Sequence, residues 1–232
     1  MPESLFIVHC SLFHCSFVIL AVDTATRSIG LALLDDQKLI AETMWHSENN
    51  HTVELAPNVE KLLKENHVAV RDLKAIAVAI GPGSFNGVRI GLGFAKGLSL
   101  ARDVPLIGVR TLDILAHGVT PFDGGLIPVI QAGRGRIIWS RYKVGKRGWE
   151  SASAGVVSDW ERLKAYAEEN DRIIGEIDQV GSSLIDPKKI ESYQRRPFHL
   201  AQIAGERLLR GDVDDAATLA PIYAHQPTSG ES

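Results

Sequence analysis

Hydrophobic and polar residues change their spacing along this 232-residue chain in a way that predicts the elements in order. An apolar run from Phe17 to Val22, the polar turn Asp23-Thr24-Ala25-Thr26-Arg27-Ser28 and a second apolar run from Ile29 to Leu34 read as strand, turn and strand. Asp35-Asp36-Gln37 turns the chain into a third strand, Lys38 to Trp45, where Leu39, Ala41 and Thr43 alternate with Ile40, Glu42 and Met44. From Thr52 to Glu65 the spacing becomes helical: Leu55, Val59, Leu62 and Leu63 form one stripe, with Glu54, Glu60, Lys61 and Lys64 on the outer face. Pro57 is expected to kink that helix or mark its first turn. A buried strand from Lys74 to Ile80, a glycine turn, a helix from Phe85 to Arg102, a short strand from Pro105 to Val109 and a third helix from Leu112 to Gly118 complete the unit.

After Thr120-Pro121-Phe122-Asp123-Gly124-Gly125 the order begins again. Strands are predicted at Leu126 to Ile130, Arg136 to Lys143, near Ser151 to Val157 and at Arg172 to Gly175, with helices at Asp159 to Glu169 and His199 to Leu209. Three antiparallel strands continued by parallel crossovers form a ribonuclease-H-like unit. The fold class is therefore α/β, a duplicated β-β-β-α-β-α unit on the two-lobed plan of the actin-like ATPase superfamily, also called ASKHA. The chain is expected to divide into an extension at 1–16, disordered or artefactual, lobes at 17–119 and 120–225, and a disordered tail at 226–232. The stretch from Ile177 to Pro197 has little pattern.

A hydrophobic content of 45% with 23% charged residues and a net charge of -3 describes an ordinary globular protein without the basic excess that would hold nucleic acid unaided. Cys10 and Cys15 both precede the first predicted strand, so no disulfide framework spans the fold and a reducing, cytoplasmic setting is expected. Leu5 to Val22 is apolar, but no Lys or Arg precedes Arg27 and His9 and His14 interrupt it, so neither an export signal nor a membrane span is read there. The repeat His9-Cys10-Ser11 and His14-Cys15-Ser16 has no second ligand pair and reads as part of the extension, not as a zinc clip.

The stretch AIGPGSFNGVRIGLGFAKGL, from Ala79 to Leu98, fails both standard phosphate-binding patterns. Gly87 is followed by Val88 and Arg89 where a Walker loop needs Lys and Ser or Thr, and Asn86 replaces the third glycine of the dinucleotide fingerprint. What remains is a tight turn with Ser84 as N-cap, where Gly81, Gly83 and Ser84 could meet an anion. Asp23, Thr24 and Thr26 in the first turn sit where actin-like proteins hold phosphate and Mg²⁺, although turn capping also explains them. The matching turn of the second copy, Gln131 to Arg136, has no carboxylate, which argues against efficient ATP hydrolysis. A two-metal nuclease would need an acid on the fourth strand, which ends at Ile80-Gly81. His46 and His51 are five apart, and His67, His117, His199 and His225 are isolated in the sequence, so no metal site and no catalytic residue is expected. Interior glycines cost a helix about 0.8–1 kcal/mol each against alanine, so Gly91, Gly93 and Gly97 suggest a close neighbour. Gly93, Gly97 and Ala101 share one face, Gly91 and Ala95 another; one face can pack on the chain's own sheet and the other on a partner.

ILAVDTATRSIGLALLDD, HTVELAPNVEKLL, AIAVAIGPGSFNGVRIGLGFAKGL and PLIGVRTLDILA together closely resemble the TsaB family, from about Val18 to Ala116. Gly81 to Gly91 carries the most specific match, with Asn86 where the family has threonine. The second half departs: Gln131-Ala132-Gly133-Arg134-Gly135-Arg136 stands for Asp-Ala-Arg-Arg-Gly-Glu, and Pro221-Ile222-Tyr223-Ala224-His225 for Pro-x-Tyr-Leu-Arg. The resemblance implies a non-catalytic dimerisation subunit in the formation of threonylcarbamoyladenosine beside the anticodon of ANN-reading tRNAs. It implies pairing with a TsaD-like catalytic subunit, recruitment of a TsaE-like ATPase and tRNA contact only through the complex; a homodimer is the alternative pairing, and neither membrane contact nor peptidase activity is expected. The implied interface lies on the two helices at Thr52 to Glu65 and Phe85 to Arg102, and Leu55, Val59, Leu62, Val88, Gly91, Leu92 and Ala95 are its expected residues. No cofactor is required by this reading beyond weakly held ATP or ADP with Mg²⁺. The alternatives are a nucleotide-binding actin-like ATPase and a diverged paralogue outside the complex.

Overall fold

The computed structural model describes residues 18–48, 50–151, 153 and 155–224; the readings made on Cys10, Cys15, His225, the extension and the tail lie outside them. Strands β1 (Val18–Asp23), β2 (Ser28–Asp35) and β3 (Lys38–His46) form an antiparallel meander. Helix α1 (His51–Glu65) leads to β4 (Leu73–Ala79), and α2 (Phe85–Arg102) leads to β5 (Leu106–Val109). The sheet order is β3-β2-β1-β4-β5, with β4 and β5 parallel to β1. Every residue of β1 is buried, so the continuous apolar run marks a strand covered on both faces. Pro57 lies well inside α1 and does not mark its first turn.

The duplication is present in the second sheet, ordered β10-β7-β6-β11 from β6 (Leu126–Gly133), β7 (Arg136–Trp139), β10 (Val156–Ser158) and β11 (Arg172–Gly175). A small hairpin of β8 (Lys143–Gly145) and β9 (Gly148–Glu150) is inserted between its second and third strands, which shortens the strand expected at Arg136 to Lys143. Helix α4 (Trp160–Tyr166) precedes β11. The weakly patterned stretch holds α5 (Gln179–Leu184) and a single parallel bridge, Ile173 to Ile190, where a fifth strand would lie. The second copy is thus complete in order and reduced in size. Among the described residues no helix is long and apolar enough to cross a membrane.

The third helix of each copy crosses to the other sheet. Helices α1 and α2 cover one face of the first sheet through Leu55, Val59, Leu62, Leu92 and Ala95, packed with Leu20, Val22, Leu31 and Ile76. Its opposite face, Ile19, Ala21, Ala32 and Ala77, is covered by Leu200, Ala201 and Ala204 of α6 (Pro197–Leu209). By sequence order α6 is expected in the second lobe, at 120–225; its apolar face covers the first sheet instead. The chain beyond it also stays on the first sheet: Asp214 bridges Leu106, and the Ile222 N–H donates to Ile80. In exchange α3 (Thr111–His117) packs Leu112, Leu115 and Ala116 with Leu126, Ile130 and Ile138.

Helices α3 and α6 meet where two histidines called isolated in the sequence come together. The His117 and His199 rings are 5.7 Å apart, and His199 Nε2 lies 2.7 Å from the Tyr193 hydroxyl. Burial holds both imidazoles below their ordinary pKa; Glu206 opposes this at His117, Gln202 and Glu42 oppose it at His199, and the neighbouring His117 and Arg196 reinforce it at His199. A depressed histidine pKa favours the neutral form, so stability is full above the unfolded value of about 6.5 and falls as pH drops through the lower folded values. Thermal melting from pH 7.5 to 5 is expected to show this fall, and the double substitution His117→Gln, His199→Gln is expected to flatten it.

Candidate functional site

Helix α2 begins against the β1–β2 turn because the residues that face the turn, Gly83, Gly87 and Gly91, carry no side chains. Ser84 donates its N–H to the Ala25 carbonyl at 2.7 Å, and its hydroxyl accepts the Gly87 N–H at 3.3 Å, an N-cap. The Thr24 hydroxyl donates to the Gly87 carbonyl at 2.7 Å. A Cβ at Gly83 would run into the Ala25 carbonyl, one at Gly87 into the Thr24 carbonyl, and one at Gly91 into the Thr24 hydroxyl. The glycines therefore bring helix and turn into contact.

The turn and helix end form one wall of an open cleft of about 1050 Å³ between the two sheets. Thr26, Arg27, His46, His51, Gly83 and Ser84 line it from the first sheet; Gln131 to Arg136, Glu176 and Asp178 line it from the second; Tyr223 lines it as well. Tyr223 stacks on Phe85 with centroids 5.4 Å apart, and the Arg89 guanidinium lies 4.8 Å over the Phe85 ring.

Below the cleft a single guanidinium collects the polar groups of both walls. Arg195, with a side chain 4% exposed, donates through Nε to Asp23 Oδ2 at 2.6 Å and through Nη1 to Glu176 Oε1 at 3.3 Å. Its Nη2 reaches the Thr26 hydroxyl at 2.8 Å and the Ser28 carbonyl at 3.2 Å. Thr26 in turn donates to Glu176 Oε1 at 2.7 Å, while Glu176 Oε2 accepts the Gln131 N–H at 2.9 Å. Burial disfavours the charged guanidinium, but Asp23 and Glu176 outweigh it and hold its pKa above the ordinary value. Stripping one partner from such a buried group leaves an uncompensated charge, at a cost on the order of 3–5 kcal/mol.

This arrangement decides the fate of the sequence-predicted contacts. Thr26, Gly83 and Ser84 reach the cleft. Asp23 and Thr24 are 1% and 0% exposed and already bonded, and Gly81 lies under Ile222. A nucleotide-bound Mg²⁺ would need the Asp23 carboxylate and an acid opposite it, and Arg195 fills the place between them; the residues do not fit that ion. The second-side acid missing from the Gln131 to Arg136 turn is Glu176, directly after β11. Glu176 had a readable signal, a carboxylate at a strand end. Arg195 had none, lying in the unpatterned stretch.

The expected interface residues all face inward. Leu55, Val59, Leu62, Val88, Leu92 and Ala95 are at most 5% exposed, and Gly91 is buried against Thr24. All seven are core. The open sides of the same helices show Val53 of α1, 71% exposed, and Leu100 of α2, 70% exposed, whereas Phe85 lines the cleft beside Tyr223. A Cβ at Gly93 or Gly97 would meet nothing within 4 Å.

Two copies of a ribonuclease-H-like unit facing one another across a cleft make this a two-lobed protein of the actin-like class. The TsaD family, described as tRNA N6-adenosine threonylcarbamoyltransferase, matches by its sequence profile over residues 42–201, and the chain belongs to that family. It is 41% identical over 125 residues to the tRNA threonylcarbamoyladenosine biosynthesis protein TsaB of Bacillus subtilis, covering 54% of this chain and 55% of the relative. With the protein of the same description from Escherichia coli it shares 38% over 135 residues, covering 56% and 57%. The chain thus spans about half the length of the curated relatives it matches. Two solved structures from Pseudomonas aeruginosa superpose along nearly the whole chain. One, an uncharacterized protein with similarity to peptidase YeaZ, has a TM-score of 0.74 at 26% identity, over 90% of this chain and 100% of that one. The other, YeaZ, has a TM-score of 0.71 at 27% identity, over 88% and 100%.

Proposed function

We propose that this chain acts as a TsaB-type, non-catalytic subunit in the formation of threonylcarbamoyladenosine on ANN-reading tRNAs, pairing with a TsaD-like catalytic subunit. The observation that carries the pairing is the open side of α1 and α2. Val53 and Leu100 lie bare there, and Gly93 and Gly97 leave the α2 backbone uncovered, which lets a second helix approach closely. The curated relatives described as TsaB support the pathway. Arg195 between Asp23 and Glu176 supports a role without nucleotide hydrolysis in this cleft. A TsaE-like ATPase would join the assembled pair, and tRNA would be met through the complex. The peptidase wording belongs to the Pseudomonas protein; no group of three or more His, Cys, Asp or Glu is placed to hold a metal among the described residues.

The test is expression in a bacterium depleted of its own TsaB, with threonylcarbamoyladenosine measured by mass spectrometry of digested tRNA. Restored modification is expected. Unrestored modification with soluble protein present, alongside a working TsaB control, would sink the proposal.

A further inference from the structure

We propose that Arg195 is the chain's own permanent cation at the junction of the lobes: it bridges the Asp23 and Glu176 carboxylates as a divalent ion would, and fixes the two lobes at one angle without any ligand. The two acids come from opposite walls. Asp23 ends β1, and Glu176 follows β11 and is held to its own lobe by the Gln131 N–H and side chain. Arg195 is delivered by the segment that crosses between them. Immediately after it Arg196 pairs with Glu42, the Phe198 N–H donates to the same carboxylate at 2.9 Å, and Pro197 fills the space above Gly30. The guanidinium is thus anchored to the first sheet and reaches across to the second.

The chemistry favours arginine at this point. Its planar fork offers five donors and stays charged at every pH the fold tolerates, and four bonds from three nitrogens go to both carboxylates, the Thr26 hydroxyl and the Ser28 carbonyl. A metal ion at such a junction can leave or exchange, and lobe geometry then follows ligand occupancy. A covalently attached guanidinium cannot leave. The cleft keeps one width, and the open side of α1 and α2 keeps one orientation relative to the second lobe.

Removing the cation should leave two facing carboxylates that a divalent ion can bridge. The experiment compares the full chain with Arg195→Met, Arg195→Lys and the triple substitution Arg195→Met, Asp23→Asn, Glu176→Gln. Melting temperature and Mn²⁺ binding by calorimetry are read, together with amide hydrogen exchange at residues 131–136. Without metal, Arg195→Met is expected to melt roughly 6–20 °C lower and to exchange at least about tenfold faster in that hairpin. Millimolar Mn²⁺ should bind once per chain and restore at least half of both losses. Arg195→Lys should fall between the two. The unsubstituted chain and the triple variant should bind no Mn²⁺, and the triple variant should melt above Arg195→Met because no naked carboxylate remains. Arg195→Met melting like the parent, or indifferent to Mn²⁺, overturns the proposal. If that variant does not fold alone, it is refolded from denaturant with and without Mn²⁺: soluble protein only with the ion supports the inference, and none in either case overturns it.

Discussion

Alanine at Gly87 is expected to destabilise the chain by about 3 kcal/mol, while alanine at Gly97 is expected to stabilise it by about 0.8–1 kcal/mol. Both residues lie in α2, and helix propensity alone predicts the same gain for each. The difference is what the new methyl group meets. At Gly87 it drives into the Thr24 carbonyl, a backbone atom held in the β1–β2 turn and unable to rotate away; at Gly97 it meets open space. Urea denaturation of the two variants checks this. Equal effects would mean that the close approach of α2 to the turn does not set the stability of this region.

Tryptophan at Gly97 or glutamate at Leu100 is expected to weaken pairing with a TsaD-like subunit about 30-fold or more, the effect of losing one interface hot spot, with melting of the lone chain nearly unchanged. Both sit on the open side of α2, Leu100 with 70% of its surface exposed. Tryptophan at Gly91 or glutamate at Leu92 would also abolish pairing, but by unfolding, because Gly91 faces Thr24 and Leu92 is core. Titration by size-exclusion chromatography, run beside a thermal melt, separates the two causes. Full pairing by both Gly97→Trp and Leu100→Glu would place the partner elsewhere; loss of self-association in the same variants would point to a homodimer on this face.

The first sheet and its helices were legible because each element keeps one spacing long enough to read: α2 spans Phe85–Arg102 as the glycine turn and apolar pattern indicate. Periodicity also separated α2 into two small-residue faces. It could not say which points inward, since Gly91 and Ala95 resemble Gly93 and Gly97 in size and spacing; only the position of Thr24 decides it. The exchange of α3 and α6 was hidden for a related reason. An amphipathic stripe announces that a face will be covered without naming the sheet that covers it. The ion cluster is the extreme case, because Asp23 and Arg195 are 172 residues apart and no local rule couples them.

The crossing of α6 bears on how the chain can be made. On the ribosome β1 to β5 emerge long before residues 197–209, so the face of the first sheet formed by Ile19, Ala21, Ala32 and Ala77 waits without its cover while the whole second sheet is synthesised. The two halves cannot mature one after the other; the earlier half is finished only by the later one.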